Sequence, residues 1–256
     1  MFKRHRFGQE RFFLRSGIMR TIALAAVALW ACAAPALAED ITVLYNVRPP
    51  YLVESGGGVT GLTGSPVAAA FKKAGIPFKW ESAPSARQMQ MIKDSSGPLC
   101  AAGWFKNPER EAFGRFTAPI YQDKPSVILT RKDSPATKHT TTDGLLADPK
   151  ITVLVKSGYS YGAFIDERLP KAAAEKSSTT QENTGMATMI AAGRADLMFL
   201  AAEEGSELLK APELADKGLV LANLTDMPPG NPRYLLCSRS VPPDTIEALN
   251  RAIAAP

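Results

Sequence analysis

Two apolar runs of nearly the same spelling, Ile41-Thr42-Val43-Leu44-Tyr45 and Ile151-Thr152-Val153-Leu154-Val155, constrain the fold of this chain more than any other feature. Short runs rich in β-branched residues predict buried strands. After the first, Asn46–Tyr51 cannot continue the strand, because its two prolines lack ladder donors. Gly56-Gly57-Gly58 is read as a turn. Ser65-Pro66 predicts an N-cap followed by proline at the first helical position, with Gly75 closing that helix. Ser85 is expected to cap a second helix with Ala86, Met89 and Ile92 on one face, and Leu99–Phe105 is strand-like. Ser126–Thr130 predicts another strand ahead of the second run. After that run, Ser157–Gly162 is a polar loop in which a helix begins. Met186, Met189 and Ile190 share a helical face ended by Gly193, and Leu197–Leu200 is a short strand. The strand-loop-helix order occurs twice, which predicts two similar α/β lobes. Tyr234–Cys237 forms a last strand, and Pro242-Pro243-Asp244 opens a helix with Ile246, Leu249 and Ile253 on one face.

The 256 residues suffice for one large domain or two of about 100 residues each. The net charge of +5 invites a nucleic-acid reading, which position removes. Six of the 30 basic residues and one of the 25 acidic ones lie in residues 1–38, leaving 24 of each sign. No basic stripe remains to neutralise phosphates.

The apolar stretch Ile22–Ala34 follows short positive segments and is shorter than the roughly 20 residues a bilayer requires. Small residues at Ala36 and Ala38 fit an A-x-A cleavage site, so residues 1–38 read as a signal peptide cut after Ala38. An uncleaved anchor and a lipoprotein site at Cys32 are the alternatives. Translation from Met19 would give a leader of ordinary length, leaving residues 1–18 outside the gene product. Cys100 and Cys237 follow the leader. In an exported protein they predict one disulfide, the alternative being two buried thiols. Such a bridge would tie the last strand to the first lobe, so that the chain leaves lobe one, builds lobe two and returns. Two crossing strands would then form a hinge. Two cysteines without nearby histidines make no zinc site. His139, in a polar stretch, is the only histidine after the leader, which argues against Ser-His or Cys-His catalysis.

The residues after the leader resemble the bacterial periplasmic solute-binding proteins of family 3, the polar amino acid type. The first strand leads to Arg48-Pro49-Pro50-Tyr51, and Gly61 precedes the first helix. A strand carries Gly103, and Lys106-Asn107-Pro108-Glu109-Arg110 follows. Phe116–Tyr121 resembles the family's F-S-x-P-Y element, Ala192–Asp196 its G-R-x-D element and Tyr234–Arg239 its Y-G-I-A-x-R-K strand. The resemblance implies an α/β, two-lobed periplasmic binding protein fold with a ligand cleft and a two-strand hinge. It implies lobe I over 39–124, lobe II over 125–230 and a lobe I return segment over 231–256. Members of the family usually continue through one or two more helices, so the stop at Pro256 is a departure read as a shortened branch or a shortened gene model. Members with amino-acid ligands carry an acid near the position of Ala201, and here Glu203 and Glu204 stand just beyond it.

By resemblance Arg110 grips a ligand carboxylate, and a planar guanidinium suits that task. A surface ion pair with Glu109 or Glu111 is the alternative. Arg48, Tyr51 and Trp104 are expected at the cleft, with core packing the alternative for the two aromatics. Arg87 is read as turned inward or as part of a solvated helix face. Ser157, Gly158 and Tyr159 are expected to present backbone N–H groups to an anion. Glu203 or Glu204 is expected to replace the missing ammonium partner. The function expected is capture of a small polar, amino acid-like solute, without cofactor, metal or catalysis. The implied protein is a periplasmic monomer serving an inner-membrane ABC permease. A sensor or interaction module and a periplasmic enzyme such as a dehydratase are the competing readings.

Overall fold

The computed structural model describes residues 40–254, so the proposed signal peptide and Cys32 lie outside the described residues. The chain opens with β1 (Ile41–Tyr45), the hairpin of β2 (Val53–Ser55) and β3 (Gly58–Thr60), and α1 (Gly61–Ala74). There follow β4 (Phe78–Ser82), α2 (Ser85–Asp94), β5 (Leu99–Trp104), α3 (Pro108–Phe113), β6 (Gly114–Phe116) and β7 (Tyr121–Gln122). The second part comprises β8 (Ser126–Arg131), α4 (Thr142–Ala147), β9 (Thr152–Lys156), α5 (Ala163–Asp166) and β10 (Glu175–Thr179). It continues through α6 (Asn183–Ala191), β11 (Leu197–Ala201), α7 (Ala202–Leu208) and β12 (Leu219–Ala222). The chain then returns through β13 (Pro232–Ser238) and ends in α8 (Pro243–Ala254).

The strands form two main sheets of the same design. One runs β4-β1-β5-β13-β6, the other β10-β9-β11-β8-β12. In each, a nearly identically spelled strand (β1 or β9) sits between two parallel neighbours. In each, the fourth strand is antiparallel to the third. The repeated run therefore marks equivalent places in two lobes.

Side chains of β1 alternate between two cores, as a strand's two-residue period requires. Ile41, Val43 and Tyr45 pack with Val67 and Phe71 of α1 and with Ile246 and Leu249 of α8. Leu44 packs on the other face with Ile92 of α2, Leu99 and Leu236. The second lobe also has two core faces, one built on Val127, Leu129 and Met186 and the other on Ile128, Val153 and Phe199. Each fully buried side chain of this size contributes roughly 1.5–3 kcal/mol.

Two helix readings are corrected. The first helix begins at Gly61, four residues before Ser65, and Pro66 lies inside it. Its leading N–H groups are satisfied by tertiary contacts: Leu62 donates to the Pro50 carbonyl, and Thr63 and Gly64 to that of Tyr51. Helix α2 is capped at Pro84, with Ser85 its first helical residue; Ser85, Gln88 and Ile92 are buried, the two polar side chains finding partners, while Met89 is partly buried against the Ile92 core and Ala86 is exposed.

Cys100 and Cys237 oppose each other on antiparallel β5 and β13 and form a disulfide across 137 positions of sequence, which removes the buried-thiol alternative. The chain crosses between lobes twice, before β8 and before β13. The crossings are stitched by Ile120 N–H to Arg233 O (2.8 Å) and Asp123 N–H to Asn231 O (3.1 Å). Among the described residues, no helix is long and apolar enough to cross a membrane.

Candidate functional site

The seam between the lobes is built on buried charge. At its first-lobe wall the chain reverses tightly: Tyr51 and Leu52 both donate to the Arg48 carbonyl, and Arg48 N–H returns to Leu52 O. The reversal aims the Arg48 guanidinium across the seam at Glu204, in the first turn of α7. The contact is bidentate, Nε–Oε1 at 2.5 Å and Nη2–Oε2 at 2.7 Å, the strong form of a guanidinium–carboxylate pair. Glu204 is only 1% exposed. Burial alone would raise its carboxyl pKa, but the Arg48 charge and hydrogen bonds hold it below the usual range. Burial likewise opposes the charge on Arg48, and Glu204 outweighs it, so the guanidinium is held above its usual value. Arg48 Nη1 also donates to the Tyr159 hydroxyl, and its guanidinium lies 5.4 Å from that ring's centre.

A second carboxylate bridges the seam. Glu182 of the second lobe pairs with Lys156 at 2.5 Å. Its Oε1 accepts from the Ser85 hydroxyl (3.0 Å) and the Ser85 N–H (3.4 Å), and its Oε2 from Asn46 Nδ2 (3.3 Å). Ser85 opens α2, so the carboxylate also lies at that helix's positive end. Burial opposes its ionisation, but the Lys156 and Ser85 bonds lower its pKa.

Arg110 stands apart. Asn107 Oδ1 accepts from Arg110 N–H at 2.9 Å and caps α3, with Pro108 at the first helical position. The side chain is buried, with Nη1 on the Phe105 carbonyl at 2.7 Å and the guanidinium 4.8 Å from the Trp104 ring centre. Among the described residues no carboxylate lies within ion-pair distance of it. Glu111 takes Lys106 instead (2.8 Å), so the surface-pair alternative does not hold. Burial pushes the Arg110 pKa below its usual value, with Tyr159 and Asp166 acting in the opposite direction. Trp104 donates to Gln88 Oε1 at 3.2 Å and packs its ring 6.0 Å from that of Tyr159.

The structure thus brings Arg48, Trp104 and Tyr159 together at the seam, with Arg110 buried against Trp104 and lining neither seam cavity. Tyr51 is buried at the seam's hinge side, with its hydroxyl on Asp123 (3.0 Å) and Arg233 stacked 3.9 Å from its ring centre. Arg87 points to solvent. The expected row of free N–H donors does not form: Ser157 N–H is taken by Thr179 O and Tyr159 N–H by Lys156 O. Tyr161 N–H goes to Asp166, and α5 is a single turn. Glu203 faces the hinge, accepting from the Tyr121 hydroxyl (3.0 Å) and Lys124 N–H (2.8 Å). Of its neighbouring acids, Glu204 is the one at the seam. Lys156, Glu182, Asp123 and Arg233 escaped the sequence reading; their partners are too distant in the chain to leave a local pattern.

Two cavities of about 20 and 10 Å³ remain inside the seam, each walled by Arg48, Tyr159 and Arg233. A wider pocket of about 190 Å³ opens at the rim, bounded by Met89, Lys93, Trp104, Phe113 and the Ser157–Tyr159 loop. Among the described residues, no cluster of three or more His, Cys, Asp or Glu residues is placed to hold a metal ion.

Solved structures share this architecture. An amino acid ABC transporter substrate-binding protein from Streptococcus pneumoniae, bound to L-arginine, aligns with a TM-score of 0.66 at 15% identity, covering 84% of this chain and 86% of that one. A Gly52Ala mutant of the arginine-bound arginine-binding protein from T. maritima aligns with a TM-score of 0.63 at 19% identity, covering 84% and 93%. An ancestral amino acid-binding protein, described as a precursor of cyclohexadienyl dehydratase, aligns with a TM-score of 0.63 at 18% identity, covering 84% and 87%. A comparison with curated protein sequences returns no match. Residues 41–255 match the model of the bacterial extracellular solute-binding proteins, family 3, and the chain belongs to that family.

Proposed function

We propose that this protein is an exported receptor that closes its two lobes on a small, carboxylate-bearing solute and delivers it to an inner-membrane ABC permease. The observation that carries the reading is Arg110: a guanidinium only 4% exposed, beside the seam, with no carboxylate among the described residues within ion-pair distance. A buried charge without a counterion is costly, and an incoming carboxylate would offset that cost with two parallel hydrogen bonds. Two hinge crossings allow closure, which a solute drives only through contacts it gains in the closed state. The leader and the Cys100–Cys237 bridge fit an oxidising compartment. The relatives that hold amino acids support the solute class.

A periplasmic interaction module is the second reading. It draws support from the chain's own Arg48, Glu204 and Tyr159, which fill the seam. A thermal-shift screen of the exported protein against amino acids, small carboxylates and amines separates the two. A solute at 100 times its Kd stabilises the native state by about 2.7 kcal/mol. A reproducible shift from a carboxylate supports the receptor, and no shift from any solute, in folded protein, favours the module.

A further inference from the structure

We propose that Arg48 sets the selectivity of the seam: by occupying Glu204 it makes the site one for carboxylates that lack an ammonium group. The inference rests on the receptor reading and narrows it. Three ion pairs neutralise acids in and behind the seam: Glu204 with Arg48, Glu182 with Lys156, and Asp123 with Arg233. Of the remaining nearby acids, Glu203 is turned to Tyr121 and Lys124 at the hinge, its second carboxylate oxygen buried without a hydrogen bond, and Glu109 is exposed at the rim pocket; neither lines a seam cavity. Asp166 holds the Ser160 hydroxyl (2.5 Å) and Tyr161 N–H (2.8 Å). Both seam cavities are walled by Arg48 and Arg233, and no aspartate or glutamate lines either one. Each has room for about one water, so a solute enters only when the lobes part, and these are the walls that close on it.

The consequence follows from charge. A carboxylate finds Arg110 without a counterion. An ammonium buried in either seam cavity finds the Arg48 and Arg233 guanidinium groups and no acid on the walls, and a buried ammonium without a partner is strongly disfavoured. Glu204 is the acid positioned to receive one, and Arg48 already fills it with a cation of the chain's own. A 2-oxo or 2-hydroxy acid escapes the conflict; the matching amino acid does not.

The test is calorimetric titration of the exported protein, unfolded and refolded to remove carried solute, with matched pairs: pyruvate and L-alanine, 2-oxoglutarate and L-glutamate. The expected result is that the 2-oxo acid of at least one pair binds at least tenfold more tightly than its amino acid. Arg48→Met exposes Glu204 and is expected to move that ratio at least tenfold toward the amino acid. If that variant does not fold, the double variant Arg48→Met with Glu204→Met replaces the pair by apolar side chains and is expected to bind neither amino acid. Amino acids binding as well as their oxo acids overturn the inference and leave the receptor reading standing. An Arg48→Met ratio equal to the parent's, or amino-acid binding by the double variant, also overturns it. Folded protein that binds neither member of either pair overturns the carboxylate-receptor reading together with the inference.

Discussion

Arg233 on the returning crossing holds Asp123 on the outgoing one, with Nε 2.7 Å from Oδ1 and both side chains buried. The pair clamps the hinge at the point where the crossings are joined by backbone hydrogen bonds. Arg233 also donates to Gly103 O at 3.0 Å and so anchors the clamp to β5 of the first lobe. Removing one partner strands the other as a buried charge. Arg233→Met is therefore predicted to destabilise the protein by about 3–5 kcal/mol, read as a lower urea midpoint at unchanged slope. A loss below the error of that measurement would show that the hinge does not depend on the pair.

Stability in acid is predicted to depend on Glu204. Its folded pKa lies below the usual carboxylate value, because the Arg48 charge outweighs burial. A depressed folded pKa stabilises the fold above the unfolded value, about 4.3 for glutamate, and that contribution is lost as pH falls through the folded one. Glu204→Gln should thus melt well below the parent at pH 7, and the gap should narrow as pH is lowered past 4. A constant gap from pH 7 to pH 3 would contradict the argument.

Reduction should loosen the first lobe. The Cys100–Cys237 bridge joins β5 to β13 and closes most of the chain into one loop. Replacing both cysteines by alanine is predicted to cost about 2–5 kcal/mol. Thiol titration of exported, unreduced protein after denaturation should find neither Cys100 nor Cys237 reactive.

The strands legible in the sequence were those buried by neighbours on both sides. All five residues of β1 are buried, as are all five of β11, so each is spelled as an unbroken apolar run. The edge strand β10 carries no such signal. Strand β10 reads Glu-Lys-Ser-Ser-Thr and is largely exposed, held by main-chain pairing to β9. The start of α1 was misplaced because its cap is not local: the carbonyls of Pro50 and Tyr51 do the work a Ser65 side chain was expected to do. At the site, Arg110 was named by the family resemblance alone, and the short helix that holds it, capped by Asn107 with Pro108 at its first position, was not read from the sequence. The seam pairs were not, since Arg48 and Glu204 are 156 residues apart and only the folded chain brings them together. The Ser157–Tyr159 loop was in the right place, yet its donors at Ser157 and Tyr159 were already committed to strand and turn partners.

The most direct measurement is titration of the exported protein and of its Arg110→Ala variant with the carboxylate that gives the largest thermal shift. Arg110 leaves no ion pair behind when removed, so the variant should remain folded. The account predicts a loss of about 2–5 kcal/mol in binding free energy, which abolishes detectable binding of all but the tightest solutes. Undiminished binding by the folded variant would remove Arg110 from the site and contradict the account at its centre.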